Sequence, residues 1–360
     1  MKGSIDFQAL LRPTVRDLSP YVVEKIEHRI KMDANENPYP WPPDLLNRVM
    51  EKLERTHLNR YPDPSAEELR VVLARKYEVR PSQVMVGNGS DELIQYILLA
   101  FGGAGVKTLS PIPTFAMYEI ASQATGCEFI GVPLGSDFDL DLAAMRSAIQ
   151  KEKPRILFLA YPNNPTGNCF RAESVEALLQ EFEGIVVIDE AYFDFSRRSF
   201  LPRLKEQENL LIMRTLSKIG LAGLRVGIVI GQESLIQMIS RVRLPYNLNT
   251  FSQVAAVVVL SEDDFIDGQL EILIAERERV FLALAAMKGI LPYPSEANFI
   301  LVRAEDSQRL FRELLSRGIL VRSFGTSGPL RNHLRVTVGR PEENDLFLET
   351  AEGLFRKGGR

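Results

Sequence analysis

A chain of 360 residues is long enough to bury a large core and to hold more than one structural unit. Its 45% hydrophobic and 25% charged residues are the balance of an ordinary globular protein, and a net charge of -4 with no long Lys/Arg run argues against a nucleic-acid partner. Two cysteines, Cys127 and Cys169, are too few for a disulfide framework, and His28, His57 and His333 have no metal-ligand spacing with them. No segment approaches the roughly 20 apolar residues of a membrane span, and Met1 to Pro13 lacks the apolar centre of a signal peptide. The expectation is a cytoplasmic protein that handles a small molecule, with no metal.

Residues 1–42 are punctuated by Pro13, Pro20 and the run Asn35-Glu36-Asn37-Pro38-Tyr39-Pro40-Trp41-Pro42, which predicts an extended arm lying over a domain or a neighbouring subunit. A helix is expected from about Pro43, then a second extended stretch, Asn59 to Pro64, then a helix capped by Ser65 with Glu68 completing a capping box. From there apolar strands alternate with helices. Strands are predicted at 83–86, 106–109, 128–132, 155–159, 185–188, 209–213 and 226–230, and helices at 90–101, 114–125, 140–150 and 172–182. Such alternation predicts an α/β fold with a mainly parallel sheet between helices. After a hinge near Leu244-Pro245-Tyr246-Asn247 come a long helix, 265–287, strands at 297–302, 318–322 and 334–338, and helices at 307–316 and 341–355. The units expected are an arm with a small-domain segment (1–42), a large domain (43–245) and a smaller α/β domain (246–360).

Several motifs sit where open α/β sheets bind ligands, beyond the carboxyl ends of strands. Thr215, Ser217, Lys218 and Arg225 follow one such strand, two hydroxyls and two cations spaced by small residues; this suits a phosphate but equally a solvated surface loop. Gly87-Asn88-Gly89-Ser90-Asp91-Glu92 opens a helix and lacks a third fingerprint glycine, so it reads as a phosphate site or a bare turn. Tyr161 to Gly167 is dense in turn formers and holds two asparagines. Four apolar residues carry Asp189 to a strand end, where a desolvated carboxylate needs a cation; a structural ion pair or a ligand would both serve. Arg335 lies in an apolar strand and wants a carboxylate from the protein or from a substrate. No Gly-x-Ser-x-Gly elbow supports a hydrolase, and Gly102 to Thr108 fails as a nucleotide loop because Val106 replaces the required glycine.

In order and spacing, Asn35-Glu36-Asn37-Pro38, Arg60-Tyr61-Pro62, Gly89-Ser90-Asp91-Glu92, Asn164-Pro165-Thr166-Gly167, Asp189-Glu190-Ala191-Tyr192, Thr215-Leu216-Ser217-Lys218, Gly223-Leu224-Arg225 and Leu334 to Gly339 resemble the fold-type I, pyridoxal-phosphate-dependent aminotransferases. Within them the chain looks like the histidinol-phosphate aminotransferases, and the resemblance spans nearly its whole length. It implies that Lys218 attaches pyridoxal 5′-phosphate covalently and moves the substrate proton. It implies that Asp189 pairs with the pyridine nitrogen and that Asn164 and Tyr192 bond the phenolic oxygen. Phe115 would stack on the ring, a place where many relatives carry tyrosine. Ser90, Asp91, Thr215, Ser217 and Arg225 would hold the phosphate, with Tyr61 reaching it from the second subunit of a homodimer. The Lys218 to Arg225 spacing is one residue shorter than in many relatives. Tyr21, Asn35, Arg322 and Arg335 would bind the amino donor and 2-oxoglutarate. Threonine-phosphate decarboxylases and aromatic aminotransferases share this cofactor site. A non-catalytic regulator reusing the fold usually carries a DNA-binding domain, which is not expected here.

Overall fold

The computed structural model describes residues 5–16, 18–20, 25–261 and 264–356. Among these, twelve strands form two sheets: β1 (Ile30–Met32), β2 (Val84–Asn88), β3 (Lys107–Ile112), β4 (Glu128–Pro133), β5 (Ile156–Ala160), β6 (Ile185–Asp189), β7 (Leu210–Thr215), β8 (Val226–Gly231), β9 (Ile290–Pro292), β10 (Phe299–Ala304), β11 (Ile319–Ser323) and β12 (His333–Thr337). The larger sheet runs β2-β8-β7-β6-β5-β3-β4. Its pairings are parallel except that β8 runs against both its neighbours, β2 and β7. The smaller sheet runs β1-β11-β12-β10-β9, and its first strand comes from the proline-rich arm.

Strands buried on both faces read as continuous apolar runs, and the pleat sorts their side chains between two layers. Leu157 and Leu159 of β5, Val186 and Ile188 of β6, and Leu210 and Ile212 of β7 enter one layer. Phe158, Val187, Leu211 and Met213 enter the other, with the helix Ser90–Phe101 and Tyr118. A third cluster, around Ile300, Val321, Leu334 and Phe347, is the core of the smaller unit. Leu248, Ala255, Ala256, Leu270 and Leu273 are buried in the first layer. Val280 and Leu284 belong to the third. The helix Asp264–Ala285 thus contributes to both the first and the third cluster, and the helix Thr250–Leu260 packs against the helices Pro43–Glu54 and Glu67–Lys76.

Two local expectations differ from the structure. The helix Glu67–Lys76 is not capped by a Ser65–Glu68 box: Asp63 takes the role, accepting from the Ser65 and Glu67 N–H groups at 2.9 and 2.6 Å, while Glu68 pairs with Lys52. The helix expected from Thr114 begins at Met117. Thr114 is held in the preceding turn instead, its hydroxyl donating to Asn163 Oδ1 at 2.8 Å, and the Asn163 amide donates to the Pro113 carbonyl at 3.0 Å.

Beneath the β6 and β7 ends lies a buried ion pair. Arg214 Nη2 donates to Glu190 Oε2 at 2.8 Å and to Ser199 Oγ at 2.9 Å, with its guanidinium between the rings of Phe193 (3.6 Å) and Tyr77 (4.5 Å). Removing one partner leaves a buried, unpaired charge. Arg214→Met is expected to lose about 3–5 kcal/mol of stability in urea or thermal unfolding, and Glu190→Leu/Arg214→Met to recover most of it. A double variant as unstable as the single one would contradict this.

Candidate active site

Asp189 closes β6 with only 5% exposure. Following Val187 in the pleat, its side chain lies on the Tyr118 layer, opposite to Glu190 and Arg214. The Tyr118 hydroxyl donates to Oδ2 at 2.7 Å and the Ala191 N–H to Oδ1 at 3.0 Å. Burial pushes its pKa up to about 6, the two hydrogen bonds pull it down, Asp91 adds to the rise and Lys218 opposes it. Among the described residues no ion pair reaches Asp189, and the side-chain cation whose charge acts on it is Lys218. Tyr118 is stacked on Phe158 at 4.9 Å, with Phe115 edge-on at 5.6 Å. Its full burial raises the phenol well above the ordinary range, which keeps it a donor.

Lys218 stands in the turn Ser217–Leu221 that follows β7, where Gly220 adopts φ +98° and so breaks the helical path. The Lys218 amine is pushed down to about 8, first by burial and next by the charge of Arg335; Glu36 and Asp189 act in the opposite sense, and Arg225 lowers it further. Its Nζ lies 5.8 Å from the Tyr192 ring centroid. Tyr192 is buried, edge-on to Phe299 at 5.2 Å, and its hydroxyl accepts from Asn35 Nδ2 at 2.8 Å.

The hydroxyl and arginine side of the site is assembled by strand register. Thr215 pairs with Gly227, and Gly227 pairs with Gly87, so the end of β7 lies two strands from the turn that starts the helix Ser90–Phe101. A Cβ at Gly227 would come within 2.4 Å of the Gly89 main chain, and one at Gly89 within 2.5 Å of Arg225 Nη2. Only glycine permits that approach. Arg225 donates to Asp91 Oδ2 at 3.2 Å, the Thr215 hydroxyl donates to Ser217 Oγ at 3.0 Å, and Ser90 Oγ is buried without a partner among the described residues.

On the other wall, the smaller sheet sets Arg322 directly opposite Arg335. Direct cross-strand partners share a face of the sheet, so Arg322 and Arg335 project from the same side of it. Arg335 donates to Asn164 Oδ1 and to the Asp33 carbonyl, each at 2.6 Å, and lies 5.4 Å over the Phe299 ring. Asn35 is locked by Thr337 and Asn298. Tyr61 stands apart, 80% exposed and stacked on Tyr246 at 4.4 Å. Tyr21 lies outside the described residues.

Sequence reasoning missed Tyr118, Thr337 and Asn298. Tyr118 falls three residues after Phe115 within the expected helix, and that spacing was the available signal. Nothing local marked Thr337 or Asn298, which meet Asn35 across more than half the chain.

The site's parts fit pyridoxal phosphate chemically. A buried carboxylate awaits a ring cation, an amine sits near 8, and an unpartnered serine hydroxyl at a helix start lies beside an arginine. The sequence model of the family described as aminotransferase class I and II matches residues 27–350. The chain is 44% identical to histidinol-phosphate aminotransferase 2 of Nitrosococcus oceani, over 94% of this chain and 95% of that protein. It is 41% identical to the histidinol-phosphate aminotransferase of Aquifex aeolicus, over 94% and 96%. The structure of histidinol-phosphate aminotransferase from Sinorhizobium meliloti in complex with pyridoxal-5′-phosphate superposes with a TM-score of 0.87 at 24% identity, covering 97% of this chain and 98% of that one. The chain therefore belongs to the class I and II aminotransferases, the fold-type I enzymes that work with pyridoxal 5′-phosphate.

Proposed function

We propose that this protein transfers an amino group reversibly between L-histidinol phosphate and 2-oxoglutarate, giving imidazole acetol phosphate and L-glutamate, a step of histidine biosynthesis. The observation that supports this reading is that the buried Lys218 amine lies within the electrostatic reach of both Asp189 and Arg335, with Arg322 the cross-strand partner of Arg335. Transamination needs Lys218 and Asp189, and anionic substrates need the two arginines.

When bound, the cofactor supplies an electron sink for the substrate Cα. Asp189 would hold the ring nitrogen protonated, with Tyr118 and the Ala191 N–H fixing the carboxylate for it. Asn164, through its amide, and Tyr192 would bond the phenolic oxygen, and Phe115 would pack beside the ring. Ser90, the N–H groups around Asp91, Thr215, Ser217 and Arg225 would hold the phosphate. Lys218 would attach the cofactor and carry the proton at Nζ; an amine near 8 is unprotonated often enough near neutral pH to do so. Arg335, steadied by Asn164 and Asp33, binds the carboxylate of glutamate and, with Arg322 and Tyr21, the phosphate of histidinol phosphate. Asn35 orients Tyr192. Two adjacent arginines let one pocket accept either a phosphate or a dicarboxylate, which a two-substrate exchange demands. The 80% exposed Tyr61 supports a homodimer in which it reaches the partner's phosphate site. No helix among the described residues is long and apolar enough to cross a membrane, in keeping with a cytoplasmic enzyme.

Lys218→Ala is expected to lose both the visible absorbance of the cofactor-loaded protein and all transamination; full activity in this variant sinks the reading. A substrate panel of histidinol phosphate, phenylalanine and aspartate with 2-oxoglutarate, plus threonine phosphate tested for decarboxylation, should favour histidinol phosphate. Arg322→Gln should raise KM for histidinol phosphate by about tenfold, corresponding to the loss of one charged hydrogen bond. Equal turnover of phenylalanine would favour an aromatic aminotransferase. A third expectation follows from the Lys218 amine, which lies near 8 in the folded, cofactor-free protein against 10.5 for an ordinary lysine. Between those values the unfolded chain binds more protons, so stability rises with pH across that window. Lys218→Met should remove that rise, and an unchanged slope of melting temperature against pH would refute it.

A further inference from the structure

The arm segment 33–41 meets the site at several points. Its Asp33 carbonyl accepts from Arg335, Asn35 bonds Tyr192 and Thr337, and Trp41 reaches the lysine turn. Trp41 is the chain's single tryptophan, and its indole N–H donates to the Gly220 carbonyl at 2.9 Å, two residues beyond Lys218. Two backbone bonds at the start of the turn are longer: Ile219 N–H to the Leu216 carbonyl is 3.4 Å and Leu221 N–H to the same carbonyl is 3.2 Å. Asn37 lies against Gly220, near enough that a Cβ there would come within 3.6 Å of its amide, and donates to Gln269 at 3.0 Å. The Trp41 ring is half-buried against the large core. An apolar ring would fill that place equally well. The indole N–H adds a bond to this one turn.

We propose that Trp41 is a positioning residue for the reaction: its N–H pins the Ser217–Leu221 turn and so sets the depth at which the Lys218 amine is presented to the pocket. The inference rests on the role of Lys218 given above. Because the same segment continues from β1 of the smaller sheet, the tether also joins the lysine turn to the unit that carries Arg322 and Arg335.

Trp41→Phe keeps the ring and removes the donor. The readout is the pH dependence with which an amine-reactive reagent modifies Lys218 in the cofactor-free, full-length chain, followed by mass spectrometry of its peptide. In the unsubstituted chain the midpoint should lie near 8, with Arg335, Glu36, Arg225 and Asp189 as the charges that set it besides burial. Trp41→Phe should move it up by about one unit, the scale of one lost hydrogen bond, as the loosened turn lets water reach the amine. Gly220→Ala strains the turn from the other side at φ +98°, and should give the same shift with red-shifted tryptophan emission. It serves as the second test should the phenylalanine variant fold poorly. A lowered melting temperature with an unchanged Lys218 midpoint in the folded variants would make Trp41 a packing residue and overturn the proposal. Persistence of the cofactor's visible band in Lys218→Ala would instead place the fault in the reading of the site.

Discussion

Placing the Asp189 carboxylate out of water at the end of a parallel strand is the demand that the surrounding architecture has to meet. Its desolvation is the largest influence on its pKa, and it is opposed first by a phenol and one backbone N–H and more weakly by the charge of Lys218. The phenol is itself fully buried and stacked on Phe158, so the layer between sheet and helix is rigid where Asp189 needs it. On the opposite face, one residue on in each strand, the Glu190–Arg214 pair joins β6 to β7. The pleat alternation thus separates two kinds of buried charge. One is an ion pair; the other is held by hydrogen bonds without an ion pair among the described residues.

The same logic runs through the cations. Arg335 is the second influence, after burial, that lowers Lys218, and it lies beside Arg322 on the neighbouring strand. Like charges directly opposite one another in a sheet are unfavourable, so the pair is a cost to the fold. An anion there offsets the field that Arg335 exerts on Lys218. The protonation of the lysine is therefore tied to one guanidinium, which Asn164 and Asp33 hold in place.

How much of this could be read in the sequence depends on range. The strands were legible as apolar runs and shift by one to three residues in the structure, and the helix Ser90–Phe101 has the expected ends because Gly89 and Gly102 bracket it. Strands of three residues, β1 and β9, carry too little pattern to be read. The Ser65 cap was misjudged because Asp63, two residues earlier, offers a carboxylate that accepts from both N–H groups. Lys218, Asp189, Asn164 and Arg225 could be named since each lies at or just beyond a strand end, whereas Tyr118 required knowing which helix covers which face. The contact of Asn35 with Thr337 joins positions 302 residues apart, and no local pattern encodes it.

That last contact bears on how the site comes to exist. The smaller sheet is closed by β1, from the first tenth of the chain, lying parallel to β11 from the last fifth. The segment after β1 then crosses to the large unit, touching Tyr192 and Gly220 on the way. Lys218 and Asp189 are supplied by the large sheet alone, at the end of β6 and in the turn after β7. Arg335 and Arg322 require the smaller sheet, and the link between the two halves is a stretch of proline-rich chain that has no ladder of its own. Its order is borrowed from the side-chain bonds of Asn35, Asn37 and Trp41. A segment held by a few specific bonds, rather than by a sheet or a packed helix, opens at lower free energy than the units it joins. This places that link between the unit that carries Lys218 and Asp189 and the unit that carries Arg322 and Arg335.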